Sequence, residues 1–330
     1  MKTVTVSVVV PNYNHAQFLP RRIDSILRQS FQDFELILLD DCSVDNSRSI
    51  LTGYVNNPRV RTQFNQANSG STFKQWNTGV RLAQGKYVWI AESDDYADER
   101  LLERLVAVLD REPRVTFAYC RSRRVAEDDR LCGFSDYYLK ELDPRRWTVD
   151  FWADGREECR NYFVWANPVP NASAVVFRKC IYEEVGGADE GLRMCGDWKL
   201  WAAMALKGQI AYLSEPLNYH RFHDASVRSQ SRKGALDVAE FLQVIRWILS
   251  QVKPTEKVLE ASCRRQAVFW VPALISWHVP FSMKLAMLRN VKAIDPHPMR
   301  RAVRSILGIL RRNAFAVWDS IRVALTAARN

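Results

Sequence analysis

The sequence predicts an α/β protein: a mostly parallel sheet with helices on both faces, followed by a helical extension. Three observations predict it. Short apolar runs alternate with segments of helical periodicity through about the first 120 residues. The runs are continuously apolar, as strands covered on both faces are. From Ala235 onward the spacing is helical throughout. A composition 47% hydrophobic and 25% charged belongs to a chain with a packed core and excludes a disordered one.

Each element has a local cause. Val4 to Val10 is a β-branched run stopped by Pro11-Asn12-Tyr13-Asn14. A helix follows, with Phe18, Leu19, Ile23, Ile26 and Leu27 on one face. Phe34 to Leu39 is a second buried strand, ended by Asp40-Asp41. Val44 to Tyr54 reads as helix, Arg59 to Phe64 as a short strand, and Asn65 to Ser71 as a polar loop. Thr72 to Ala83 is a helix with Phe73, Trp76, Val80 and Ala83 inward. Tyr87 to Ala91 is a strand, Glu99 to Leu109 a helix and Val115 to Cys120 a strand. Arg121 to Arg160 reads as long loops with some helix. Ala172 to Phe177 and Ile210 to Leu213 are strands flanking the helix Asp197 to Leu206. The expected domains are 1–230, with halves of about 1–120 and 121–230, and a basic helical region 231–330.

Charge is unevenly placed. The chain carries a net +10, but residues 228–330 hold 18 Lys and Arg against 6 Asp and Glu, leaving the rest slightly acidic. Such asymmetry suggests a tail that meets an anionic surface, either membrane or nucleic acid. The seven cysteines are scattered without a CxxC pair, which argues against a disulfide framework or zinc site and fits a reducing cytosol. Met1-Lys2-Thr3-Val4 runs straight into a strand without a signal peptide. Ala267 to Phe281 comes nearest to a spanning segment, but Pro272, His278 and Pro280 interrupt it. The expected location is cytoplasmic, with peripheral attachment to the inner face of a membrane open.

Polar chemistry collects at strand ends. Ala91 is followed by Glu92-Ser93-Asp94-Asp95, Leu39 by Asp40-Asp41, and Val10 by Pro11, Tyr13 and Asn14. In a parallel sheet these carboxyl ends share one edge, where ligands bind. Crowded carboxylates raise each other's pKa unless a cation neutralises them, and a divalent metal carrying a phosphorylated substrate would do so. Alternatively, Asp94, Asp95 and Asp98 cap the following helix. An aromatic plate, a lone carboxylate and a metal-binding carboxylate match the parts of a nucleoside diphosphate. No GxGxxG or P-loop lysine is present, so a metal carries the phosphate neutralisation in this reading.

The segments Val6–Asn14, Phe34–Ser43 and Gly85–Asp95 resemble the family-2 glycosyltransferases, over roughly residues 4–228. The resemblance implies an inverting transferase of GT-A fold that uses Mn²⁺ or Mg²⁺ and a nucleotide-diphosphate sugar, UDP-sugar first. The acceptor implied is a glycan or lipid-linked glycan in cell-surface polysaccharide or lipopolysaccharide synthesis. The halves 1–120 and 121–230 become donor and acceptor halves. Tyr13, with Pro11 and Asn14, corresponds to the base platform, Asp41 to the carboxylate reading a base N–H, and Asp94 to the ribose-side acid. Asp95 corresponds to the metal ligand. Asn68, Gly70, Trp76 and Asn77 resemble donor-pocket positions, with a core role the alternative for Trp76. Glu92 stands where many relatives have Asp.

Met194-Cys195-Gly196-Asp197-Trp198 resembles the family's Glu-Asp segment, with Gly196 where Glu is frequent. It implies Asp197 as catalytic base; an N-cap is the alternative, and Asp189 and Glu190 are fallbacks. Tyr219 to Ser226 resembles a Tyr-Arg-x-His-x-x-Ser segment, placing Arg221 at phosphate and His223 at metal or diphosphate. Asn171-Ala172-Ser173 is a sequon of no significance in a cytosolic chain. Met299 to Ala328 carries Val303, Leu307, Trp318 and Leu325 on one stripe beside arginines. It is either an interfacial anchor on an anionic membrane or a packed helix with a solvated basic face. Two rival functions are a sugar nucleotidylyltransferase, whose Gly-rich basic loop is missing after the first strand, and a nucleic-acid binder. Nucleic acid is not the expected partner.

Overall fold

A computed structural model describes residues 4–223, 235–304 and 307, and the chain divides into two compact units, 1–230 and 231–330. The first is built on a ten-stranded mixed sheet ordered β3-β2-β1-β4-β9-β6-β10-β5, with β7 on β6 and β8 (Phe151–Asp154) on β10. Strands β1 (Val6–Asn12), β2 (Phe34–Asp40), β3 (Val60–Phe64) and β4 (Tyr87–Ile90) are mutually parallel. Asn12 pairs with Asp40, so the polar ends of β1 and β2 meet at one edge.

Side chains on one face of these strands, among them Val8, Leu36 and Trp89, form a core with α1 (Leu19–Leu27) and α4 (Leu101–Arg111). Helix α3 (Thr72–Leu82) lies so near β1 that a Cβ on Gly79 would stand 2.2 Å from Val9 Cγ1.

The other half adds antiparallel strands to the mostly parallel sheet. Strand β9 (Val175–Arg178) runs antiparallel between β4 and β6 (Val115–Val125), and the expected start at Ala172 is instead a 3-10 turn, Ala172–Ala174. Strand β6 outlasts its apolar run because Arg121 and Arg123 stack on Phe134 of β7 (Leu131–Phe134), at 3.7 and 5.6 Å. Strand β10 (Gln209–Arg221) extends well past Leu213, with register shifts around Pro216, which has no N–H to give the ladder. Its far end pairs antiparallel with β5 (Tyr96–Ala97), bringing Tyr219 beside Tyr96. This pairing carries the end of β10 to the turn after β4.

The remaining helices of the first unit include α5 (Gly155–Glu158), α6 (Lys179–Glu184) and α7 (Gly196–Ala205). Helix α2 (Ser47–Thr52) is shorter than expected; the Asp45 carboxylate accepts from Ser47 N and Ala16 N in the turn before it. The second unit contains α8 (Leu236–Gln251), α9 (Glu256–Ile275) and α10 (Phe281–Ile294). No helix among the described residues is long and apolar enough to cross a membrane. Most of the basic stripe expected over 299–328 lies outside the described residues.

Candidate active site

The turn after β4 is held from every side. Asp95 N donates to Glu92 O at 3.2 Å, Glu92 N to Ser173 Oγ at 3.0 Å, and Arg22 Nε to Glu92 O at 2.8 Å. Within it the two neighbouring acids face different surroundings. Asp95 is buried, and its carboxylate accepts from Asn171 Nδ2 (2.9 Å), Ser173 Oγ (2.6 Å) and Arg221 N (2.8 Å). Asp94 faces His223, whose Nε2 lies 3.1 Å from Asp94 Oδ2.

Among the described residues, His15, Asp94 and His223 form the group able to hold a metal, with their ligand atoms all within 4.8 Å of one another. The acid in this cluster is Asp94, which was expected at the ribose, whereas Asp95, expected as the metal ligand, lies outside it. His223 is where a ligand was expected, and His15 is an addition. Two imidazoles and one carboxylate suit a borderline cation such as Mn²⁺ better than Mg²⁺, which favours oxygen ligands. Ser93 Oγ, 2.8 Å from His15 Nδ1, orients that ring.

The electrostatics follow. Burial pushes Asp94 upward, but the His223 hydrogen bond and the neighbouring His15 and His223 charges outweigh it, so its carboxyl is held down. The same bond raises His223, whereas burial lowers His15. Burial, then the Asp94 charge, pushes Glu92 up to about 8, although Trp76 Nε1 donates to its Oε1 at 2.7 Å. Trp76 is buried, with its ring 6.1 Å from that of Trp201.

A second polar centre lies at the end of β2. Asp41 Oδ1 accepts from Asn65 Nδ2, Ser69 N and Gln75 Nε2 at 2.7 to 2.9 Å, and Oδ2 from Ser69 Oγ at 2.7 Å. A carboxylate offers about four acceptor positions, so the loop fills them. Asn68 Nδ2 donates to Asp41 O at 3.2 Å, while its Oδ1 accepts from Gly70 N at 2.7 Å across the glycine's positive φ of 70°. Nearby, Asn14 joins two loops: its N donates to Ser43 Oγ and its Oδ1 accepts from Val44 N. Pro11 is buried in β1, and Tyr13 stands 45% exposed, its ring accessible to a flat ligand.

Two residues expected at the donor are bonded within the protein. Asn77 Oδ1 accepts from Tyr182 Oη and Ala188 N, and its Nδ2 donates to Ala188 O and Glu190 Oε1, which uses its whole amide on the 182–190 segment. Arg221 is buried and gives four of its five N–H groups to Asp94 O, Ala126 O, Glu127 O and Asp129 Oδ1. It is a strut between the β4 turn and the segment after β6, not a guanidinium open to phosphate.

Asp197 sits in the first turn of α7, half-buried, accepting from Asn167 Nδ2 at 3.1 Å. The N-cap is Cys195, so Asp197 lies inside the helix. The glycine before it has a packing cause: a Cβ at Gly196 would meet the Phe73 ring at 2.5 Å. Asp189 pairs with Lys199 at 2.5 Å, and Glu190 binds Asn77. Sequence reasoning missed His15, and it dismissed Asn171 and Ser173, which hold Asp95. The polar Asn171 and Ser173 beside the apolar run of β9 were the available signal.

Comparison with known proteins agrees with this architecture. Residues 7–184 match the profile of Glycosyl transferase family 2. The chain is 40% identical over 101 residues to the glycosyltransferase GlyG of Streptococcus pneumoniae, covering 30% of this chain and 33% of that relative. It thus spans about a third of the length of that curated relative. The fold is similar to Staphylococcus aureus TarS 1–349 in complex with UDP-GlcNAc (TM-score 0.64, 18% identity, 88% of this chain and 81% of that one). It is also similar to mannosyltransferase PcManGT of Pyrobaculum calidifontis in complex with GDP-Man and Mn²⁺ (TM-score 0.54, 16% identity, 98% and 81%).

Proposed function

The chain belongs to glycosyl transferase family 2, and from that premise we propose a metal-dependent, inverting transfer of a sugar from a nucleoside diphosphate to an acceptor hydroxyl. The observation that carries the proposal is the His15–Asp94–His223 cluster at the end of β4, on the sheet edge shared with Asp41 and Tyr13. The family membership displaces the nucleotidylyltransferase reading.

In this reading the donor half is about 1–120. Tyr13 stacks on the base, and a base N–H exchanges with one of the loop donors on Asp41. Asn14, Asn68 and Gly70 shape the loops around it. UDP-sugar is the first donor to test. His15, Asp94 and His223 would hold a divalent cation, which when bound supplies positive charge for the diphosphate. Asp95 anchors the turn that presents Asp94 and touches no ligand. Arg221 keeps the same turn attached to β6 and β10.

The acceptor half is about 121–230. Asp197 accepts the proton of the acceptor hydroxyl as its oxygen bonds to the anomeric carbon. The bond from that carbon to the diphosphate breaks on the opposite side, so the configuration inverts. The acceptor is a glycan or lipid-linked glycan of cell-surface polysaccharide synthesis, on the cytoplasmic side and at the inner membrane face. A relative named as a poly(ribitol-phosphate) β-N-acetylglucosaminyltransferase supports a polymer acceptor.

A panel of nucleotide sugars, monitored by nucleoside diphosphate release with and without Mn²⁺, tests the reading. Release from one donor that requires the metal is expected. Asp197→Asn should bind that donor normally and turn it over roughly a hundredfold more slowly or worse. Unchanged turnover in this variant would remove Asp197 as the base.

A further inference from the structure

The second unit carries an apolar surface that its own packing leaves outside. Helix α10 packs inward through Met287, Val291 and Ile294, all buried. On its outer side Phe281, Leu285 and Leu288 are exposed, at 74%, 39% and 45%. Their i, i+4, i+7 spacing places them on one stripe of a helix with about 3.6 residues per turn. The turn leading into the helix adds Trp277, 85% exposed, and the last residue of α9, Ile275, is 67% exposed. Soluble surfaces rarely leave large apolar side chains clustered in this way without a partner.

We propose that this surface, from Ile275 to Leu288, seats the protein on an anionic lipid bilayer. The charge pattern selects that occupant. Helix α10 contains no acidic residue. Lys284 falls on one side of the apolar stripe and Arg289 on the other, and Lys292 continues the stripe beyond Leu288. An exposed Trp and Phe at a helix entry, bordered by cations, are the groups that partition into the headgroup boundary. Anionic headgroups answer the flanking cations. A second copy of the same patch would bring Lys284, Arg289 and Lys292 against one another, so self-association is opposed by like charge. The proposal deepens the membrane location given above and rests on it, but it is independent of the donor and of Asp94, Asp95 and Asp197.

The test uses the full chain with vesicles of phosphatidylcholine alone or with phosphatidylglycerol, by flotation. Binding to the anionic vesicles is expected, weakened by salt. The Trp277→Ala, Phe281→Ser double variant should partition about tenfold more weakly or worse, since two large apolar groups no longer leave water. Lys284→Glu with Arg289→Glu should lose the preference for phosphatidylglycerol. Donor hydrolysis in solution should be unchanged in both variants, which separates failure of this proposal from failure of the catalytic one. Equal binding by wild type and the double variant overturns the proposal, as does concentration-dependent dimerisation in sedimentation that the double variant abolishes.

Discussion

The ends of β2 and β4 lie on the same edge of the sheet, yet they are finished differently. At the end of β2 the Asp41 carboxylate is answered entirely by neighbouring amides and hydroxyls from 65–75. At the end of β4 the neighbours of Asp94 are the imidazoles of His15 and His223, themselves metal-ligating groups. Neutral donors satisfy an acid without changing its charge, and a ligand enters by exchanging one hydrogen bond for another. Imidazoles clustered on an acid make a set that a cation can collect. Both ends were expected to be binding sites; only the second has the composition of a metal site.

The comparison can be broken most directly at Asp94. Asp94→Ala should lower transfer by roughly a hundredfold to a thousandfold, comparable to removing a group that stabilises transition-state charge. It should also abolish the rise in melting temperature that Mn²⁺ gives the wild type. If Asp95→Asn abolishes that Mn²⁺ response while Asp94→Ala keeps it, the ligand assignment reverses.

Asp41→Asn tests the other end. The new amide would face donors with a donor, costing roughly 1–3 kcal/mol of stability. Nucleoside diphosphate affinity should fall, with the Mn²⁺ response intact. A lost metal response would show that the two ends are not separable.

Asn77→Ala sharpens the boundary of the site. It removes four hydrogen bonds to the 182–190 segment and should cost stability by roughly 1–3 kcal/mol. Nucleoside diphosphate affinity should be unchanged, because the hydrogen-bond partners of Asn77 lie in the 182–190 segment and not in the loop around Asp41. Weakened binding at full stability would return it to the donor site.

Glu92→Gln has an effect that depends on pH. The folded pKa of Glu92 is raised to about 8 from 4.5, so the wild type has its full contribution below the unfolded value. It loses stability as pH rises toward 8, where the folded state still holds a proton that the unfolded state has released. Gln keeps an acceptor for Trp76 and does not titrate. In metal-free buffer the variant should gain on the wild type between pH 5 and 8 and level off above. A constant difference across that window would contradict a raised Glu92.

Much of the architecture is legible residue by residue. The strands at Val6, Phe34 and Tyr87 follow from unbroken apolar runs, and the helices between them from their stripes. Strands at β6, β9 and β10 were expected too, but the antiparallel direction of β9 and the full length of β6 and β10 escaped because their pairing is non-local. Their polar ends carry no strand signal until Phe134 or Tyr96 is beside them. The dismissal of Asn171 failed for the same reason, since its partners are Asp95 and Asn218.

By itself the sequence determined that acids and an aromatic stand at strand ends, because strand termination is local chemistry. It determined the excess positive charge after residue 228 equally. Only the tertiary structure decided which of two adjacent acids joins His15 and His223. Asp95 is turned inward by donors 76, 78 and 126 residues away in the chain. Asp94 is left to meet His223, 129 residues away. Neighbouring side chains share a position in the sequence but not a direction, and direction is set by whatever long-range partners the fold delivers.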